Sequence, residues 1–299
     1  MTLETLVQQL MNGISLGSLY ALIAIGYTMV YGILRLINFA HGDVFMVGAY
    51  TAFYLVSFFL LPWWAVVPLT LLAAALLGMF IDRVAYRPLR QEPRISALIT
   101  AVGVSFFLET LGIVVLGARP KGFTEYIPGL FARVYDLAGI KIPGVAVWVP
   151  LLSLACLGLL LYIIYNTKVG MAMRAVATDI ETVRLMGVNV DRIISYTFAL
   201  GSALAAAGGI MWAFKFWQIQ PLMGIYPGWK AFTAAVVGGI GNITGAMLGG
   251  FIIGLAEIMA VAFFPDFSGY RDAFVFAILI AFLLVKPTGI LGESLKEKV

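Results

Sequence analysis

Apolar residues in this chain come in long unbroken stretches, not in the short alternation of a half-buried element. Eight such runs can be marked: Leu6–Leu34, Phe39–Leu61, Trp63–Ile81, Ile95–Leu116, Val145–Tyr165, Ile193–Phe214, Ile243–Phe264 and Ala273–Val285. A helix needs about 17–25 apolar residues to cross the hydrocarbon layer. Each run approaches or exceeds that length except the last, which needs its flanking residues. A shorter run, Ala231–Ile240, is followed by Gly241 and Asn242. At ~1.5 Å per residue it covers only about half a membrane. It predicts a broken or re-entrant Gly-rich helix, tolerable only where its frayed backbone is buried or faces a cavity. The pattern predicts an all-α, polytopic transmembrane helical bundle of about eight to nine spans, with residues 1–299 forming a single transmembrane domain.

Composition agrees. The 299 residues are 62% hydrophobic and 11% charged, with mean hydropathy +1.00, whereas soluble domains carry about a quarter charged residues. The net charge is +4, but the basic residues fall in short segments between apolar runs. That distribution fits a membrane protein's inner surface and makes nucleic-acid binding a poor reading of the excess. Cys156 is the only cysteine and His41 the only histidine, so neither an intrachain disulfide nor a Cys/His metal cluster can form. Residues 1–10 carry Glu4 and no basic residue, so the first apolar segment is expected to stay as a span.

The basic residues also suggest an orientation. With the amino terminus outside and the short run counted as a crossing, Arg83, Arg87, Arg90 and Arg94 face inward. So do Lys168, Arg174, Arg184 and Arg192, with Lys286, Lys296 and Lys298 at a cytoplasmic tail. Arg119, Lys121, Arg133, Lys141 and Arg271 make a smaller outer set. Trp63, Trp64, Trp148, Trp212, Trp217 and Trp229 are all expected near the outer interface.

Two loops stand out. Residues 117–144 form an outer loop long enough for a small folded cap, a docking surface or an ordinary connector. In the inner loop 166–192, Met173, Val176, Ile180 and Val183 recur at helical spacing, and Arg174, Thr178 and Glu181 mark the opposite side. The periodicity predicts one amphipathic helix ending at Gly187, able to lie on the membrane, pack on its own bundle or meet another protein. Gly238, Gly239, Gly241, Gly245, Gly249, Gly250 and Gly254 include small-xxx-small pairs that bring helix backbones together.

Chemistry is sparse. The dipeptide Gly-Lys never occurs, so no phosphate-binding loop is present, and one histidine makes HExxH impossible. A membrane enzyme would have little acid–base equipment. What remains are ionisable groups within the spans, Glu109 and Glu257, together with Lys215 near the outer interface and Asn38, His41 and Asp43 around Gly42. Charges at the bilayer centre are costly and usually face a bundle interior or cavity. Asn38, His41, Asp43 and Glu257 are therefore candidates for a polar gate or solute path, or for packing contacts between helices, and Lys215 is expected to snorkel toward the interface.

Several long motifs also resemble a known family. They are Gly17-Ser-Leu-Tyr-Ala-Leu-Ile-Ala-Ile-Gly-Tyr-Thr-Met-Val-Tyr-Gly32, Ile37-Asn-Phe-Ala-His-Gly-Asp43, Arg83-Val-Ala-Tyr-Arg-Pro88, Arg174-Ala, Leu185-Met-Gly-Val-Asn189, Ala231-Phe-Thr-Ala-Ala-Val-Val-Gly-Gly-Ile-Gly-Asn242 and Lys286-Pro-Thr-Gly-Ile-Leu-Gly292. In this order they resemble the LivH-type branched-chain amino-acid permeases over nearly the whole chain, least in the outer loop and at the termini. The resemblance implies an ATP-binding-cassette importer in the bacterial inner membrane. Such an importer pairs the chain with a second, LivM-type permease, two cytosolic ATPases that hydrolyse ATP and a periplasmic amino-acid-binding protein. This chain itself would hold no cofactor. The family's ATPase-docking loop falls on Lys168–Arg192, with Arg174, Leu185, Met186, Gly187, Val188 and Asn189 as the coupling residues. Two rivals are a permease for urea or short amides and a secondary transporter with Glu109 and Glu257 as a proton relay.

Overall fold

The computed structural model describes residues 3–137 and 140–292; Lys296 and Lys298, assigned above to the inner side, lie outside them. Among the described residues, seven helical stretches are long and apolar enough to cross a membrane: Leu3–Leu34, Trp63–Leu89, Ile95–Leu116, Gly144–Asn166, Val190–Phe216, Ile243–Phe263 and Pro265–Val285. The chain is a multi-pass, all-α membrane bundle.

The central element is α1 (Leu3–Leu34), buried along nearly all of its apolar length. It is followed by α2 (His41–Ser57), α3 (Trp63–Ile81) and α4 (Arg94–Leu116). A π-helical turn at Asp82–Tyr86 and a 3₁₀ turn at Arg87–Leu89 carry the chain from α3 toward α4. Beyond β1 (Lys121–Gly122), α5 (Gly129–Ala132), β2 (Val134–Leu137) and β3 (Ile140–Pro143) come α6 (Gly144–Asn166), α7 (Lys168–Thr178), α8 (Ile180–Leu185) and α9 (Val190–Phe216). The chain closes with β4 (Gln218–Ile219), α10 (Ile225–Gly238), α11 (Ile243–Phe263) and α12 (Arg271–Val285).

α11 runs antiparallel along α1, and the glycine spacing is the reason. A Cβ on Gly17 would meet the backbone of Phe251, one on Gly250 that of Ala21, and one on Gly254 that of Gly17. Without side chains at these places the two backbones touch, and close packing substitutes for the hydrophobic force that lipid does not supply. α4 and α12 lie at the periphery, with Ile95, Ile99, Phe106, Val114 and Leu284 exposed as a lipid-facing surface.

The two ends of the bundle differ. The described residues of 117–144 fold into a small cap: β1 pairs with β4, β2 pairs with β3, and Trp63 Nε1 donates to Tyr126 O. The opposite, basal end carries residues 82–94, 166–192, 239–242 and 286–292. There Arg87 and Arg90 both pair with Asp191, and Arg90 also pairs with the fully buried Asp82.

One expectation needs correction. The segment 166–192 holds two helices, not one. Met173, Val176 and Val183 are buried as the periodicity requires, but Asp179 is extended and caps α8 by accepting from the N–H groups of Glu181 and Thr182. A capping aspartate wins over periodicity because it satisfies orphan donors of the second helix. Two of the tryptophans expected near the outer interface make aromatic contacts within the bundle. Trp212 packs against Tyr20 and Phe45, and Trp229 against Phe39.

α10 has 14 residues, and α2 has 17. α10 ends at Gly239 and Gly241, both with positive φ (110° and 99°), which only glycine adopts freely. Its last carbonyls are satisfied from far along the chain: Ile290 N–H donates to Val237 O and Leu291 N–H to Gly238 O, each at 2.9 Å. Asn242 caps α11 through the Gly245 N–H and also donates to Leu291 O. The Lys286–Gly292 motif is thereby the cap of the short helix.

Candidate functional site

A cavity of about 660 Å³ sits at the cap end, between α1, α9, α10, α11 and the start of α12. Its floor is an ion cluster. Lys230, on α10 and almost wholly buried, reaches Glu257 at 2.7 Å and Asp272 at 2.6 Å. Arg271 lies 3.8 Å from Glu257, and Tyr20 Oη donates to the other Glu257 oxygen at 2.8 Å. Two acids and two bases balance one another, which offsets the desolvation of charges brought inside a bundle. Lys230 and Asp272 carry no signal of their own in the sequence; only the fold shows that they meet Glu257.

Lys215 lines this same cavity. It does not snorkel outward: its ammonium donates to Ser15 Oγ at 3.0 Å inside the bundle. Ser15 itself lies in Gly13-Ile-Ser-Leu-Gly17, which has the spacing of a nucleophile elbow. That motif needs a strand-to-helix turn and a histidine base. Here it is continuous helix, and the chain's one histidine packs on Tyr27, so no acyl-transfer site exists there.

The other predicted path residues do not join Glu257. Asn38 is buried and accepts from Tyr86 Oη at 2.9 Å. His41, also buried, stacks on Tyr27 with ring centroids 4.8 Å apart and fills the notch left by Gly26. These two side chains fix the start of α2 against α1 and the π-helical turn. Asp43 accepts from Ser105 Oγ at 2.5 Å and opens with Glu109 on a smaller cavity of about 150 Å³, walled by Tyr27, Phe106 and Trp229. The sequence-predicted set is therefore two separate places, one around α2 and one at the cap-end cavity.

At the basal end a cavity of about 510 Å³ lies between α1, α6, α7, α9 and the start of α11, and Arg174 lines it. Arg174 donates to Ile164 O and lies over the Tyr165 ring at 5.1 Å. It thus caps the last turn of α6, where a cation is favoured by the exposed carbonyls. Asn189 caps α9 by accepting from the Arg192 N–H at 3.1 Å. Between these anchors, Leu185 is 90% exposed and Met186 77% exposed. Gly187, with φ of 82°, turns the chain after them, and Val188 is half-buried. The segment is rigidly held at both ends and presents an apolar tip.

Comparison with known proteins gives a consistent result. Residues 9–283 match the family described as the branched-chain amino acid transport system / permease component. The chain is 42% identical to the high-affinity branched-chain amino acid transport system permease protein LivH of Escherichia coli (strain K12), over 98% of this chain and 97% of that protein. It is 43% identical to the corresponding protein BraD of Pseudomonas aeruginosa, over 98% of each. It is 31% identical to a probable branched-chain amino acid transport permease protein LivH of Methanocaldococcus jannaschii, over 94% of this chain and 90% of that one. The chain belongs to the branched-chain amino acid transport permease family.

Proposed function

We propose that this chain is the membrane-embedded permease subunit of an ATP-binding-cassette importer that moves branched-chain amino acids across the bacterial inner membrane. The observation that carries the reading is the family match along almost the whole chain. The absence of any Gly-Lys dipeptide fits a subunit whose ATP is hydrolysed by partners. Those partners are two cytosolic ATPases, a second permease of LivM type and a periplasmic amino-acid-binding protein.

The two ends of the bundle suit a division of labour. The cap end, with its large cavity, receives solute from the binding protein. The basal end lies in the cytoplasm with the carboxyl terminus, and its segment 166–192 docks an ATPase. Leu185 and Met186 insert into a groove on that partner, Gly187 and Val188 shape the tip, and Arg174 and Asn189 hold it stiffly enough to transmit force. Asp43 and Glu257 line the solute route, while Asn38 and His41 fix the first turn of α2. α2 and α10 serve as the eighth and ninth membrane elements. α10 is the broken one, and its end is tied to residues 290–291 so that it moves as a unit.

Reconstitution of the chain with both ATPases, the second permease and the binding protein in liposomes tests the reading. Leucine uptake is expected to require ATP and loaded binding protein, and to be competed by isoleucine and valine but not by urea. Uptake by the chain alone under a proton gradient would overturn it.

A further inference from the structure

Lys215 stands apart from the charges around it. Lys230, Arg271, Glu257 and Asp272 are occupied with one another, within 2.6–3.8 Å. Lys215 has no carboxylate within ion-pair distance among the described residues, and its one hydrogen-bond partner is the neutral hydroxyl of Ser15. A lysine pointing into a membrane bundle without a counter-ion is costly, yet this one sits in the last turn of α9, where it could turn toward the cap surface. Instead it shares the wall of a 660 Å³ cavity with the apolar side chains of Leu16, Trp212, Phe216 and Met223. Volumes of roughly 300–1,000 Å³ with apolar walls and a few converging polar groups are those of small-molecule sites.

We infer that Lys215 is the anion-binding group of this cavity and holds the carboxylate of an incoming α-amino acid. The apolar wall takes the aliphatic side chain, and the ammonium group is turned toward the acidic groups Glu257 and Asp272. An ammonium donating to a carboxylate gives a stronger hydrogen bond than one donating to a hydroxyl, so the solute displaces Ser15 as the lysine's partner. No proton or covalent bond is transferred. The inference rests on the permease reading above, and it adds which side chain recognises the solute's acid group.

The test uses the assembled importer in liposomes, with Lys215→Met, Lys215→Gln and Lys215→Arg. Leucine uptake and ATP hydrolysis stimulated by the loaded binding protein are measured side by side. Loss of one charge-assisted hydrogen bond lowers uptake by about ten- to a hundredfold. The Met and Gln variants are expected to show that fall while stimulated hydrolysis persists, and the Arg variant to keep most of its uptake. Normal uptake by Lys215→Met, or equal damage by Arg and Met, would overturn the inference. If Lys215→Met does not assemble, Lys215→Gln decides, because its amide can still donate to Ser15. Assembly with lost uptake supports the inference, and assembly with normal uptake or no assembly overturns it. A wild-type importer that moves no leucine would instead defeat the permease reading itself.

Discussion

The cap end and the basal end of this bundle handle unfavourable groups in opposite ways. At the cap end, charges that lipid would penalise are turned inward and matched: Lys230 against Glu257 and Asp272, with Arg271 and Tyr20 closing the set. At the basal end, apolar side chains that water would penalise are turned outward and left bare at Leu185 and Met186. The first arrangement is finished within the chain, whereas the second is complete only when another surface covers it.

The sharpest way to break that contrast is at Glu257. Glu257→Ala strands Lys230 and Arg271 beside a single acid and is expected to destabilise the chain by about 3–5 kcal/mol, seen as a lowered thermal unfolding midpoint in detergent. The double variant Glu257→Gln with Lys230→Met should recover much of it, since neutral groups of similar shape replace the pair.

Met186→Asp should do the reverse. An exposed tip residue changes the chain's own stability by no more than about 0.5 kcal/mol, but a charge in an apolar docking contact is expected to cost about 2 kcal/mol of association. Co-purification with the ATPase should fall while the unfolding midpoint stays in place. Arg174→Glu should affect both readouts, because it removes the cap on α6 as well as stiffening from the docking segment.

Smaller effects come from the links between elements. Asp191→Ala removes the shared partner of Arg87 and Arg90. As a partly exposed pair it is expected to cost about 1 kcal/mol and to loosen the 82–94 segment toward proteolysis. Asn242→Ala removes the cap of α11 and a tie to residue 291, at about 1 kcal/mol, read as a modest fall in the same midpoint.

Long apolar runs made most of the architecture legible. The apolar run Trp63–Ile81 coincides with α3, and the run Ile95–Leu116 with all of α4 but Arg94, because transmembrane length and flanking polarity leave few choices. The short helix was visible from its glycines, although α10 starts at Ile225, upstream of the apolar run, since Pro227 and Lys230 fit inside a buried helix once Glu257 supplies a counter-charge. The site was less legible. Glu257 stood out as a charge in an apolar run, but Lys230 and Asp272 lie beside span ends where charges are ordinary, and only tertiary packing joins them. Asp179 carried a local signal, an aspartate before an Ile-Glu-Thr turn, which apolar periodicity on both sides of it concealed.

The bonds from Ile290 and Leu291 to α10 bear on how the molecule is made. The last carbonyls of α10 are met only by a segment that is made after α11 and α12. Until then the end of α10 stays open, and a chain cut just after α12 is expected to keep its helices but lose these two bonds.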